Sequence, residues 1–320
     1  MSTVAQGLGS VFLTADGEAV WRACLKLDCA GSEYGTRLLS STHCGPLYVQ
    51  KPFYPEGKDL AHIYPLHPPG GVVSGDELSI NIVARDRAAL LITTPGATRL
   101  YRARQAVKRT GVAALSATHT ALDQKLNNHI NVTGGSSVEW LPMETIVFNA
   151  AQTVAATRVD IDNSSRFLGW EVCCLGLPAS NKAFESGRLS QRFEIYQNGK
   201  PMLIDKLSLR PHSPLMSAKC GLDNATVSGI FVAGPGEVDN QVMVEHKQAQ
   251  VEDTLAAVRE KIALLNLADK LSITYFNGFY LSRYLGHSAE QARKLFVEVW
   301  RILRPLLLNR DICPPRIWHT

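Results

Sequence analysis

Short apolar runs, separated by Gly, Pro and Asp, dominate the chain from about residue 10 to residue 235. Residues 78–83 and 89–93 are two examples, and each has the length of a single strand. Runs of this length between turn-forming residues are typical of β-strands. The pattern therefore predicts a β-rich body over most of the chain.

Two Asn-Gly pairs predict β-hairpins. Asn198-Gly199 lies between the apolar stretches 193–197 and 200–204, and Asn277-Gly278 lies between 273–276 and 279–281. A type I′ turn needs two residues with positive φ, and Asn followed by Gly meets that need best.

The periodicity of the chain changes after residue 235, where two helices are predicted. From about residue 248 to 267, apolar residues recur every three or four positions, the spacing of one helix face; they are Val251, Leu255, Val258, Ile262 and Leu265. The second helix begins with a capping box at Ser288 and Gln291, and Pro305 is expected to end it because proline lacks the required N–H donor. Its predicted buried stripe comprises Ala292, Leu295, Phe296, Val299 and Leu303.

The length and the patterning together predict one structural unit over residues 1–320. It would consist of a β-rich body at about 10–235 and an α/β section at about 236–320. The stretch 104–126 is rich in Ala, Thr, Gln and Lys without a clear period, and it is interpreted as a loop or insertion. The fold class expected is mainly β with about two C-terminal helices.

Charge and composition exclude several classes of protein. The 33 basic and 29 acidic side chains give a net charge of +4, and the absence of a Lys/Arg cluster argues against nucleic-acid binding. No apolar run is long enough to span a membrane, and residues 1–20 lack the features of a secretion signal. Seven cysteines, an odd number, indicate free thiols in a reducing compartment. We therefore expect a cytoplasmic protein.

Familiar catalytic motifs are absent from the sequence. It contains no phosphate-binding Gly-rich loop, nucleophile elbow, His-Glu-x-x-His or Cys-x-x-Cys motif. Cys173 and Cys174 are adjacent in a predicted strand, so their side chains point to opposite faces and are interpreted as small buried hydrophobes. His62 and His67 are interpreted as packing residues because Pro65 interrupts the segment between them.

Three acidic residues are more informative because the pattern directs them inward. Asp205 has the strand parity of Leu203, Leu207 and Leu209. Glu171 lies in the run 167–175, which is apolar on both faces, and Asp76 has the parity of the apolar residues in 78–82. A buried carboxylate must be neutral, paired, metal-coordinating or in contact with internal water.

Two interpretations of these acids remain open at this point. Each acid can form an ion pair with Arg or Lys from a neighbouring strand. Alternatively, three inward acids can line a hydrated passage or a transient cation site. Carboxylate oxygens suit a loosely held divalent cation, whereas thiolate or imidazole clusters would trap it.

Several collinear segments resemble those of one known family. They are GPLYVQKPFYPEG at 45–57, HPPGGVVSGD at 67–76, TPGATRLYR at 94–102, EWLPMETIVF at 139–148, WRILRP at 300–305 and PPRIWHT at 314–320. Together they are similar to the urease accessory protein family UreD, called UreH in some species, and the resemblance runs from about residue 45 to the last residue.

This resemblance implies a role without catalysis. Family members bind the accessory protein UreF and the GTPase UreG, and the assembly docks on apo-urease so that Ni²⁺ reaches its buried site. The implied fold is a stack of β-sheets wound into an open superhelix. No cofactor is expected to be held tightly: Ni²⁺ would be in transit, and GTP would be bound by UreG. Neither nucleic acid nor a membrane is an expected partner.

The resemblance also implies a water-filled tunnel for nickel and the residues that line it. The matching positions are Asp76, Thr98, Glu171 and Asp205, of which Thr98 rests on the resemblance alone. Two alternatives stay open: an adaptor that only reshapes urease while nickel enters elsewhere, and a hydrolase that uses two of the acids as general acid and base.

Overall fold

Strands are the main regular element of the structure, a computed structural model that describes residues 11–13, 19–104, 122–236 and 244–319. Most of the predicted insertion at 104–126 therefore lies outside the described residues. The strands are β1 (Val11–Leu13), β2 (Ala19–Ser32), β3 (Gly35–Cys44), β4 (Tyr48–Val49), β5 (Leu60–Ile63), β6 (Pro65–Leu66), β7 (Glu77–Arg85), β8 (Ala89–Ile92), β9 (Thr98–Leu100), β10 (Gln124–Val132), β11 (Ser137–Trp140), β12 (Thr145–Val147), β13 (Gln152–Ile161), β14 (Arg166–Leu175), β15 (Arg188–Gln197), β16 (Lys200–Leu209), β17 (Val227–Gly234), β18 (Leu271–Phe276) and β19 (Phe279–Gly286). The helices are α1 (Pro214–Ser217), α2 (Val244–Leu264) and α3 (Ala289–Leu308), with short 3-10 turns at Pro178–Ser180 and Arg316–His319.

Two large sheets contain nearly all of the described strands. The first sheet has the order β1-β2-β7-β10-β13-β15-β16, and β3 pairs with β2 at its edge. The second has the order β18-β19-β17-β14-β11-β8-β5, and β12 joins β9 to β14. Strands β4 and β6 form a separate small ladder.

The chain passes back and forth between these two sheets. β7, β10, β13 and β15 add to the first sheet as parallel neighbours, and β8, β11 and β14, which come between them in the sequence, add to the second. Each turn of the chain thus adds one strand to each sheet. The predicted mainly β fold, with stacked sheets wound as an open superhelix, is confirmed.

Both predicted hairpins are present with the expected turn chemistry. β15 and β16 are joined by Asn198 (φ 48°) and Gly199 (φ 77°), and β18 and β19 are joined by Asn277 (φ 49°) and Gly278 (φ 86°). The positive φ angles are those that a type I′ turn requires.

The second sheet lies between the first sheet and the helices. One apolar cluster fills the space between the sheets and includes Leu25, Ile130 and Phe167. A second cluster joins the other face of the second sheet to α2 and α3, with Trp170 and Phe296 in contact. The alternation of side chains along β14 places successive residues in different layers.

Both long helices occur where they were predicted, with corrected ends. α2 begins earlier than expected and ends at Leu264, and Leu265, predicted to be buried, is 43% exposed because the chain leaves the helix at Asn266 with φ 56°. The prediction that Pro305 ends the second helix is wrong: α3 continues to Leu308. Proline removes only one helical hydrogen bond, and the last turn packs its apolar side chains against the core.

The N-terminal cap and the buried stripe of α3 are confirmed. Ser288 Oγ accepts a hydrogen bond from the backbone N–H of Gln291, while the Gln291 side chain accepts one from Tyr284 instead of closing the capping box. All five predicted stripe residues are at most 1% exposed, and Trp300 is fully buried with them.

Candidate functional site

A polar row crosses the inner face of the first sheet. Successive strands contribute Asn128 on β10, Thr157 on β13, Gln191 on β15 and Asp205 on β16. Each has the same parity as buried apolar residues of its own strand, so each side chain points toward the second sheet. The predicted inward orientation of Asp205 agrees with this placement.

Glu171 faces the polar row from the second sheet. It has the parity of Phe167 and Cys173 on β14, which point toward the first sheet. The Thr157 hydroxyl donates to Glu171 Oε1 at 2.5 Å, and Gln191 Nε2 donates to Oε2 at 2.9 Å. Asn128 Nδ2 in turn donates to Thr157 Oγ1 at 2.9 Å. Glu171 is thus held between the sheets by neutral hydrogen-bond donors.

Glu171 and Gln191 belong to the walls of two cavities at once. The first, of about 510 Å³, is also lined by Asp205 and Arg283. The second, of about 330 Å³, is also lined by Thr98 and His67, and Asn128 and Thr157 form part of its wall. The structure therefore brings Thr98, Glu171 and Asp205 together along two adjoining cavities, with Glu171 at their common boundary.

The surroundings of Glu171 change its proton affinity. Burial raises the pKa of this carboxyl above its usual value of 4.5, the negative charge of Asp205 adds to the increase, and the hydrogen bonds from Thr157 and Gln191 oppose it. A carboxyl with a raised pKa retains its proton more readily near neutral pH and releases it when a cation approaches.

Asp205 has a charged partner, unlike Glu171. Its Oδ1 lies 2.6 Å from a guanidinium nitrogen of Arg283 on β19, and the Asp205 side chain is 24% exposed. The ion-pair interpretation therefore holds for Asp205, although the pair lies on the wall of a cavity rather than in a dry core. Arg283 belongs to the second sheet, so this pair also spans the space between the sheets.

Asp76 and Thr98 occupy different positions relative to the cavities. Asp76 accepts backbone hydrogen bonds from Val73 at 3.1 Å and Trp21 at 3.4 Å, and it is not among the described residues that line either cavity. It remains close to the second cavity, since its charge opposes the burial that lowers the pKa of His67. Thr98 lies on the wall of the second cavity.

Sequence reasoning missed the three neutral members of the polar row. A signal for them exists in the sequence. Gln191 has the same strand parity as Leu189 and Phe193, and Thr157 has the same strand parity as Val159 and Ile161. Strand parity therefore directs amides and hydroxyls inward in the same way as it directs acids.

A buried ionic cluster near α3 was also missed. The Arg304 guanidinium is fully buried and contacts Glu56 at 2.8 Å and Glu139 at 3.0 Å. Trp300 Nε1 donates to Glu139 at 2.6 Å, and His62 Nε2 lies 2.8 Å from Glu56. Four of these residues fall in segments that carry the family resemblance, which shows that those segments meet in space.

The charges of this cluster compensate one another. Burial raises the pKa of Glu139 despite the opposing charge of Arg304, whereas at Glu56 the bonds from His62 and Arg304 outweigh burial and lower the pKa. Burial alone would lower the pKa of Arg304, but the two carboxylates outweigh it and raise the pKa. The charged groups of this cluster are paired with one another inside the protein, whereas Glu171 lies on the walls of two cavities.

The cysteines predicted to be small buried hydrophobes are buried, on opposite sides of β14. Cys173 belongs to the cluster toward the first sheet and Cys174 to the cluster toward the helices.

Within the described ranges, no group of three or more His, Cys, Asp or Glu side chains is placed to hold a metal ion. No helix in that part of the chain is long and apolar enough to cross a membrane.

Comparisons with a family model and with individual proteins point to the same family. The family model described as UreD urease accessory protein matches residues 22–319. The urease accessory protein UreD of Marinomonas sp. (strain MWYL1) is 40% identical over 308 residues, which are 95% of this chain and 91% of that protein. The UreD of Psychromonas ingrahamii is 39% identical over 96% of this chain and 97% of that protein. The UreD of Pseudoalteromonas translucida is 39% identical over 95% and 93%, respectively.

Proposed function

The chain belongs to the UreD family of urease accessory proteins, and we propose that within urease maturation it is the scaffold that conducts nickel to apo-urease. In this proposal it acts with UreF and the GTPase UreG in the cytoplasm, and the assembly docks on apo-urease. Ni²⁺ is cargo that crosses the space between the two sheets, and GTP is bound by UreG.

The observation that carries the proposal is the position of Glu171. Among its described contacts it has neutral donors and no cationic partner, and it lies at the boundary of two cavities. The amide and hydroxyl oxygens of the polar row add further hard ligands beside it. One carboxylate with neutral oxygens suits a divalent cation that is held briefly and then released.

Proton exchange at Glu171 would accompany each passage. With no cation nearby, burial favours the protonated carboxyl, which is neutral and stable between the sheets. A cation in either cavity favours the carboxylate, so the proton leaves as the metal is bound. Asp205, which pairs with Arg283, would then receive the cation in the first cavity.

The test is nickel loading of apo-urease by a complex that contains a Glu171→Gln variant. Glutamine preserves the size of the side chain and removes the charge, so assembly should be unchanged and the rate of nickel incorporation should fall. Glu290→Gln is the matched control, because Glu290 is 66% exposed on α3 and pairs with Lys294. Metal bound to urease is measured after free nickel is removed, and assembly is measured by size-exclusion chromatography.

A blocking variant separates a conduit from an adaptor. Thr98→Phe places a large ring at the wall of the second cavity. A conduit loses nickel loading while the complex still forms. Normal loading by both Glu171→Gln and Thr98→Phe would refute the conduit and support the adaptor.

A further inference from the structure

Two cysteines that the proposed function does not use face each other at the edge of the first sheet. Cys24 on β2 and Cys44 on β3 are direct partners in the antiparallel register, and their Sγ atoms lie 2.7 Å apart. Ala23 and Leu25 point into the core, so the Cys24 side chain leaves on the opposite, outer face of the sheet. Both cysteines are half-buried.

The backbone at this position suits a covalent bond between the two sulfurs. Directly opposed residues of antiparallel strands have Cα atoms about 4.5–5.5 Å apart. This separation lies within the range of about 4.4–6.8 Å that disulfides span. The bond therefore requires side-chain rotation and no displacement of either strand.

No other pair of thiols among the seven cysteines is arranged in this way. Burial raises the pKa of Cys29 to about 12 and that of Cys174 to about 11, so these thiols stay protonated. The remaining cysteines lack a facing thiol; they are Cys173, which is buried, Cys220, which is exposed, and Cys313, which is half-buried.

We propose that Cys24 and Cys44 form a reversible redox site that closes to a disulfide when the protein meets a peroxide or a small-molecule disulfide. With hydrogen peroxide, one thiolate attacks an oxygen, the O–O bond breaks and hydroxide leaves, which gives a sulfenic acid. The hydroxide takes up the proton that the thiol had released and becomes water. The second thiol attacks that sulfur and expels a second water. With oxidised glutathione, one thiolate forms a mixed disulfide and releases one reduced glutathione, and the second thiol then displaces the other. Both routes oxidise the two thiols by two electrons.

The protonation of Cys44 sets the pH dependence of this reaction. Burial and the contact with Cys24 raise the pKa of the Cys44 thiol. Since the thiolate is the attacking species, closure is expected to be faster at about pH 8.5 than at about pH 7. The disulfide would connect β3 covalently to β2, its only partner strand in the described part of the first sheet.

Peptide mapping of the oxidised full-length protein tests the proposal. Reduced protein is treated with oxidised glutathione or hydrogen peroxide, and the remaining thiols are alkylated under denaturing conditions. Trypsin then separates the relevant thiols: Cys24, Cys29 and Cys44 fall on the peptides 23–26, 27–37 and 38–58, because Lys51 precedes a proline. The expected product is 23–26 joined to 38–58, two hydrogen atoms lighter than the separate peptides and released by dithiothreitol.

Serine variants identify the role of each thiol. Cys24→Ser should prevent closure and leave Cys44 as a persistent mixed disulfide with glutathione, whereas Cys220→Ser, at an exposed lone cysteine, should close as the wild type does. The proposal is overturned if 23–26 and 38–58 are both recovered fully alkylated while Cys220 has reacted. It is also overturned if Cys24 is joined to a cysteine of another molecule. The wild-type map alone decides the outcome if a variant fails to fold.

Discussion

Removal of the Arg304 charge should destabilise the fold far more than removal of a neighbouring arginine. Arg304→Met preserves much of the apolar volume but leaves Glu139, with a side chain 1% exposed, and Glu56, 11% exposed, without their buried cation. Breaking a buried ion pair by removing one partner costs about 3–5 kcal/mol. For a chain of this length, that corresponds to a fall in Tm of roughly 5–8 °C.

The loss should depend on pH in a direction set by Glu139. The folded-state pKa of Glu139 is already above 4.5, and without Arg304 it should rise further. A carboxyl whose pKa is higher in the folded than in the unfolded state stabilises the fold at pH values below its unfolded-state pKa. This contribution is lost as the pH rises through its folded-state pKa. The difference in unfolding free energy between Arg304→Met and the wild type should therefore shrink as pH falls from 8 toward 5.

Urea denaturation followed by tryptophan fluorescence measures this difference at each pH. Arg301→Met is the matched control, because Arg301 lies on the same helix, is 46% exposed and pairs only loosely with Glu298 at 3.5 Å. Its effect should stay within about 0.5 kcal/mol. Adding Glu139→Gln to Arg304→Met should recover part of the loss. If Arg304→Met costs no more than Arg301→Met, or if its cost is the same at pH 5 and pH 8, the reasoning is refuted.

Three further substitutions test other parts of the structure. Glu171→Gln should become more stable relative to the wild type as pH rises from 5 to 8, because ionisation of the buried carboxyl destabilises the wild type. Thermal melts measure the difference, and a difference that does not change with pH would contradict this. Ser288→Ala should cost about 1 kcal/mol in urea unfolding, because the bond to the Gln291 backbone is lost; no change would argue against the cap. Gly31→Ala should lower the Tm by several degrees, because its Cβ would lie 2.3 Å from the Asp86 carbonyl oxygen; an unchanged Tm would show that the backbone yields easily.

Local patterns predicted much of the fold because they act over a few residues. The Asn-Gly turns and the cap at Ser288 depend on neighbouring backbone, so the sequence indicates them directly. The end of α3 was mispredicted because the penalty at Pro305 is local, whereas the packing of the following turn against the core is a tertiary effect.

The candidate site was only partly accessible to the same reasoning. Parity correctly directed Glu171 and Asp205 inward, since the side-chain period of a strand is fixed. The partner of Asp205 could not be predicted, because Arg283 lies 78 positions later and belongs to the other sheet. Asp76 shows the limit of parity at a strand end, where backbone donors from Val73 and Trp21 hold the carboxylate.

The cluster around Arg304 has a consequence for how the protein is made on the ribosome. Glu56 and Glu139 are synthesised 248 and 165 residues before the arginine that neutralises them, and the carbonyl of Asp311 and the indole of Trp318 complete the same region. A nascent chain therefore cannot close its helical layer over the second sheet until α3 and the residues up to Trp318 have been synthesised. A product truncated before Arg304 would lack the guanidinium that pairs with both Glu56 and Glu139. Closure of the helical layer thus depends on contacts that join residues from widely separated parts of the chain.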